Sequence, residues 1–74
     1  MKNLIQRSQE ISKRELEILS CMARGYSSRQ IAQDLFISTH TVITHRKNLL
    51  RKLEAKNSAH LIFKSIRSGF ISVL

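Results

Sequence analysis

Seventy-four residues suffice for one small domain with a single core, not for two. A hydrophobic share of 42% argues against disorder, and the absence of proline and tryptophan, with only two glycines, favours helices over a β-sandwich or barrel. Thirteen Lys and Arg against five Asp and Glu leave a net charge of +8, which calls for a polyanionic partner, either nucleic acid or an anionic membrane surface.

Cys21 is the lone cysteine, so an intrachain disulfide is excluded and a reducing compartment, the cytoplasm, is expected. No run approaches the ~18 apolar residues of a membrane span, and Met1-Lys-Asn-Leu-Ile5 has no long apolar core of a secretory signal. Residues 1–10 read as an N-terminal arm or linker remnant, and residues 11–74 as the domain.

Ile11-Ser-Lys-Arg-Glu15 is the first sharp signal. Ser12 and Glu15 fit a capping box, in which the Ser hydroxyl accepts from the N3 amide and the Glu carboxylate accepts from the N-cap amide. Ile11 and Leu16 add a hydrophobic staple. Leu16, Leu19 and Met22 then share one side, flanked by Ile18 and Cys21, and Gly25 stops the helix through the left-handed conformation a C-cap prefers. The first helix is expected over about 13–24. The device repeats with Ser27, Gln30 and a Tyr26–Ile31 staple, giving a short helix over about 28–35 with Ile31, Ala32 and Leu35 on its apolar face. Phe36-Ile37-Ser38 carries the apolar run into a connection of helix-turn-helix length.

Ser38 is the N-cap of a third, long helix over about 39–54, with Ile37 and Val42 as its staple. Val42, Leu49 and Leu53 cluster within about 40° of arc, with Leu50 beside them, while His40, Thr44, Lys47 and Arg51 fall opposite. Ala55-Lys56 breaks away, and Asn57 or Ser58 caps a fourth helix that Gly69 ends. Its inward face is expected from Ala59, Ile62, Phe63 and Ile66. Leu61 lies off that stripe beside Ser65 and Ser68; it reads either as a self-association patch or as a scattered surface leucine. Phe70–Leu74 is apolar and is expected to pack back on the domain.

In that order, Ile11-Ser-Lys-Arg-Glu-Leu-Glu-Ile-Leu19, Gly25-Tyr-Ser-Ser-Arg-Gln-Ile-Ala32, Leu35-Phe-Ile-Ser38, Thr41-Val-Ile-Thr-His-Arg-Lys-Asn48 and Arg51-Lys-Leu53 resemble the LuxR/FixJ (GerE-type) DNA-binding domain. The resemblance covers about residues 11–70. It implies an all-α, four-helix domain whose second and third helices form the helix-turn-helix. It further implies a bacterial transcription regulator that binds double-stranded DNA as a homodimer through the fourth helix, with RNA polymerase a candidate partner. Members often carry a receiver or ligand-sensing domain before this one, so the chain is expected to serve as a response-regulator output domain. Two positions depart from the family pattern. Thr-Val-Lys-x-His appears as Thr41-Val42-Ile43-Thr44-His45, so a commonly basic DNA-facing position is Ile43, and the usual Leu-Thr opening is Ile11-Ser12. The first bears on the target sequence and not on the fold.

A recognition helix places its N-terminal residues against base edges in the major groove. The exposed arc holds Ile43, Thr44 and Lys47, and the family's base-contact positions resemble this trio. Lys47 can donate to guanine O6 or N7, Thr44 can bond to a base or meet a thymine methyl, and Ile43 can make only apolar contact. His40 is a further candidate, reaching a phosphate or base or standing free in solvent. The phosphate candidates are Ser28 and Arg29 at the start of helix two, Thr41, Arg51 and Lys52 on helix three, and Asn57 and Ser58 at the start of helix four, where free N–H groups favour an anion. The Arg46 stem is expected over apolar neighbours with its head reaching outward. His45, at the edge of the buried stripe, is expected to be a hydrogen-bonded structural histidine. The dimer patch is assigned to Leu61, Ser65 and Ser68.

Nothing points to an enzyme or to a cofactor. Glu15 and Glu17 project apart on a helix, and His40, His45 and His60 lack the spacing and the carboxylate or cysteine companions of a zinc site. Three rivals to specific DNA reading remain. A basic amphipathic membrane-surface peptide would leave an apolar face bare, whereas four separately capped helices have faces to bury. Single-stranded RNA binding calls for exposed aromatics, absent from the third helix. A protein-interaction adaptor on the same fold is the third.

Overall fold

The computed structural model describes residues 10–72, which form four helices: α1 (Lys13–Ala23), α2 (Ser28–Leu35), α3 (Thr39–Lys52) and α4 (Ser58–Arg67). The all-α, four-helix fold expected from the sequence is the fold observed. Local hydrogen bonding explains each start. At α1 the Glu15 amide donates to Ser12 Oγ at 3.1 Å and the Ser12 amide to Glu15 Oε1 at 2.9 Å. At α2 the Ser27–Gln30 box repeats this at 3.1 and 2.8 Å. Ser38 caps α3 by accepting from the Thr41 amide, and Asn57, rather than Ser58, caps α4 by accepting from the His60 amide.

The helix ends follow one pattern as well. At Gly25 and Gly69 the chain turns left-handed, and the amides that follow reach back to carbonyls one turn earlier, Tyr26 to Cys21 and Phe70 to Ser65. Phe36 (φ 59°) and Glu54 (φ 52°) do the same work at the ends of α2 and α3, with Ile37 bonding to Ala32 and Ala55 to Leu50. Side chains rarely adopt that conformation, so both turns carry some backbone strain. Phe36 does not continue the apolar run inward: its ring is 93% exposed.

Ile18, Leu19, Met22, Ile31, Ala32, Val42, Leu49 and Leu61 form the core. Helix α3 packs against all three of the others, whereas α2 and α4 each rest on α1 and α3 with little packing on one another. Here α4 departs from expectation. Leu61 and Ser65 are fully buried, so neither belongs to a surface patch; of the three residues assigned to a dimer interface only Ser68 is exposed. The helix is turned so that Ala59 and Phe63, expected inside, face solvent, and Ile62 and Ile66 are half-buried. The physical cause is that Ser65 donates its hydroxyl proton to the Leu61 carbonyl at 2.7 Å. A serine satisfied by its own helix behaves as a small residue and lets α4 approach the core closely. Ile71 packs against the core and Phe70 is 40% exposed, while residues 73 and 74 and most of the N-terminal arm lie outside the described residues.

Candidate nucleic-acid interface

Helix α3 presents an outward arc. Ile43, Thr44 and Lys47 are all exposed, as are Thr39, His40 and Arg51, while Val42 and Leu49 on the opposite side are fully buried. Among the described residues no hydrogen bond or ion pair engages the side chains of His40, Thr44 or Lys47. Ile43, 40% exposed, is the one large aliphatic on this arc. Thr41 is half-buried, and its hydroxyl lies 2.9 Å from Ser38 Oγ, so it belongs to the cap as much as to any surface.

The remaining phosphate candidates divide. Arg29 is exposed on the first turn of α2, and Arg51 is exposed with only a long 3.4 Å bond to Asn48. Asn57 spends its side-chain oxygen on the α4 cap, which the Lys56 amide supplements by donating to His60 Nδ1. Lys52 is a correction. Its ammonium donates to Glu15 Oε1 at 2.8 Å, to Glu15 Oε2 at 3.0 Å and to the Glu10 carbonyl at 3.0 Å, so it is turned into the domain and held there. Its side chain is only 18% exposed, and that of Glu15 only 5%. Burial alone would raise the Glu15 pKa, but the hydrogen bond from Lys52, the Ser12 amide and the Lys52 charge together hold it below the ordinary carboxylate value.

Arg46 is also redirected. Its two terminal nitrogens donate to Ser28 Oγ and Ser58 Oγ, each at 2.8 Å, so the guanidinium spans between α2 and α4 instead of reaching outward. Ser28 and Ser58, expected to meet phosphate, therefore already accept one bond each. His45 is half-buried as expected, but its Nδ1 is buried with no hydrogen-bond partner among the described residues, contrary to the expected bonded state. Burial pushes the Cys21 thiol above its usual range, with the Asp34 charge adding to the effect, which leaves it a poor nucleophile. Among the described residues no group of three or more His, Cys, Asp and Glu could hold a metal ion, and no helix is long and apolar enough to cross a membrane.

A short helix, a three-residue turn and a long helix whose outward arc is exposed and partly cationic, all backed by two further helices, define a helix-turn-helix DNA-binding domain. The profile of bacterial regulatory proteins of the luxR family (GerE) matches residues 9–65, and the chain belongs to that family. It is 41% identical over 64 residues to the transcriptional regulatory protein FixJ of Rhizobium meliloti (strain 1021), covering 86% of this chain and 31% of that protein. It is 44% identical over 61 residues to the oxygen regulatory protein NreC of Staphylococcus carnosus (strain TM300), covering 82% of this chain and 28% of the relative. Among solved structures, the response regulator ChrA of a heme-sensing two-component system superposes with a TM-score of 0.80 at 38% identity, over 92% of this chain and 36% of that one. The chain thus spans under a third of the length of these curated relatives.

Proposed function

We propose that this domain reads a specific duplex DNA sequence as a homodimer and thereby regulates transcription in the cytoplasm of a bacterium, in the manner of a response-regulator output domain. The observation that carries this reading is the outward arc of α3. Ile43, Thr44 and Lys47 stand exposed one turn apart, and the Lys47 ammonium is uncommitted among the described residues on a helix whose other side is locked into the core. Lys47 donates to guanine, Thr44 bonds to a base edge and Ile43 covers a thymine methyl. His40 sits one turn before Thr44 and extends the same arc. Arg29 and Arg51 add charge on phosphates, with Asn57, Ser28, Ser58 and Thr41 as weaker contributors at helix starts.

For dimer formation the supporting surface is the outer side of α4. Phe63 is 56% exposed with the Arg67 guanidinium 5.8 Å from its ring centre, and Ile62, Ile66 and Phe70 line a groove with Ser20 and Ala23 of α1. An exposed aromatic beside aliphatic neighbours is the composition of a contact surface. Contact between the DNA-bound dimer and RNA polymerase is the corresponding route to regulation.

Selection of bound duplexes from a random pool at moderate salt tests the reading. The recovered sequences are expected to share an inverted repeat, because a two-fold dimer imposes its symmetry on the site. A pool that shows no enrichment after repeated rounds would favour the protein-adaptor alternative and sink this one.

A further inference from the structure

We infer that Arg46 is a positioning residue that sets the register between base reading and phosphate gripping; the inference rests on the DNA reading proposed above. Arg46 lies on α3 between Thr44 and Lys47, yet its guanidinium points away from their arc. One terminal nitrogen donates to Ser28, the first residue of α2, and the other to Ser58, the first residue of α4, both at 2.8 Å. Each serine directly follows its own cap, Ser27 or Asn57, so the guanidinium grips both helices at their leading turns.

Three features make this grip more than a filler contact. First, α2 and α4 pack only weakly on one another, so one forked cation on α3 reinforces the link between their leading turns. Second, guanidinium can only donate, so both serine oxygens accept from it, and each hydroxyl keeps its own proton to give to an incoming oxygen. Third, the fork is planar and rigid, which fixes where the two hydroxyls lie relative to the helix that carries Lys47. Non-specific binding needs only positive charge near phosphates, but specific binding needs phosphate grips and base readers at a fixed offset. Arg46 supplies the offset. A lysine keeps the charge but loses the planar two-nitrogen fork that holds both serines in one fixed geometry.

The test compares Arg46→Lys with wild type on the selected inverted-repeat duplex and on a random duplex of equal length, at a temperature where circular dichroism shows both proteins folded. The preference for the selected duplex is expected to fall about tenfold, the scale of one mismatched base pair, while affinity for the random duplex and the salt slope stay at wild-type values. Once Arg46→Lys is present, Ser58→Ala is expected to cost no further preference, as befits residues acting through one contact. Should Arg46→Lys melt below the assay temperature, Ser58→Ala alone carries the same expectation of lost preference. Equal losses on both duplexes, or an additive double variant, would overturn the assignment. A wild type that selects no sequence sinks the DNA reading and this inference together; a selective wild type whose preference survives Arg46→Lys sinks the inference alone.

Discussion

Lys47 and Lys52 stand five residues apart on one helix and are chemically identical, yet they lie on different faces of it. Lys47 lies on the outward face of α3, exposed and, among the described residues, in no hydrogen bond or ion pair. Lys52 lies on the face turned to α1, with its ammonium donating to both Glu15 carboxylate oxygens and to the Glu10 carbonyl. The role of a cation on a basic domain is therefore decided by what the neighbouring helices offer it. The outward face is left unsatisfied and can turn its groups to a partner, while Lys52 on the inward face is consumed in holding α3 to α1. Net charge counts both lysines equally; function does not.

The largest expected effect sharpens that contrast through stability. Lys52→Met keeps the stem and removes the charge, leaving the Glu15 carboxylate buried without its cation. Breaking a buried pair costs ~3–5 kcal/mol, and partial exposure of Lys52 reduces this to about 2–3 kcal/mol. In a domain this small the melting temperature should fall by about 10–20 °C. Lys47→Met, at an exposed position with no partner to strand, should melt within about 2–3 °C of wild type. Matching melting curves for the two variants would erase the distinction between the two faces.

The next effect is on binding and reverses the order. Lys47→Ala should lose about 1–3 kcal/mol on the selected duplex and little on a random one, because a base contact discriminates where a phosphate contact does not. Equal losses on both duplexes would move Lys47 from the bases to the backbone. Lys52→Met, assayed below its melting temperature, should keep the wild-type preference.

The same contrast explains what could be read from the sequence. Helix starts were legible because a capping box links residues three apart, so Ser12–Glu15 and Ser27–Gln30 announce themselves. The core sides of α1, α2 and α3 followed from apolar spacing, and the helix-turn-helix and the exposed Ile43–Thr44–Lys47 arc followed with them. The braces were not legible. Lys52 meets Glu15 across 37 positions, and Arg46 meets Ser28 and Ser58 across 18 and 12, distances over which composition carries no signal. The sides of α4 are ambiguous in the sequence because the helix is apolar on two of them. Counting apolar residues favours Ala59, Ile62, Phe63 and Ile66, whereas packing chose Leu61 with Ser65, whose hydroxyl its own helix satisfies. Left-handed turns at Phe36 and Glu54 leave no mark in the sequence, because neither residue type favours that conformation.

The smallest effect concerns acid and isolates the Glu15–Lys52 brace. The folded Glu15 pKa lies below its unfolded value because the Lys52 bond, the Ser12 amide and the Lys52 charge together outweigh the opposing cost of burial. A depressed carboxylate pKa means that the unfolded chain binds the proton more readily. The stabilisation is therefore fully present above the unfolded value, about 4.3 for a glutamate, and is lost as pH falls through the folded one. Urea unfolding followed from pH 7 down to pH 3 should show wild-type stability declining below about pH 4.3. In Lys52→Met the two favourable contributions from the lysine are gone while burial remains, so its smaller stability should decline less over the same range. Parallel curves for the two proteins would place the acid sensitivity elsewhere in the domain and deny the Glu15–Lys52 pair its role in fastening α3 to α1.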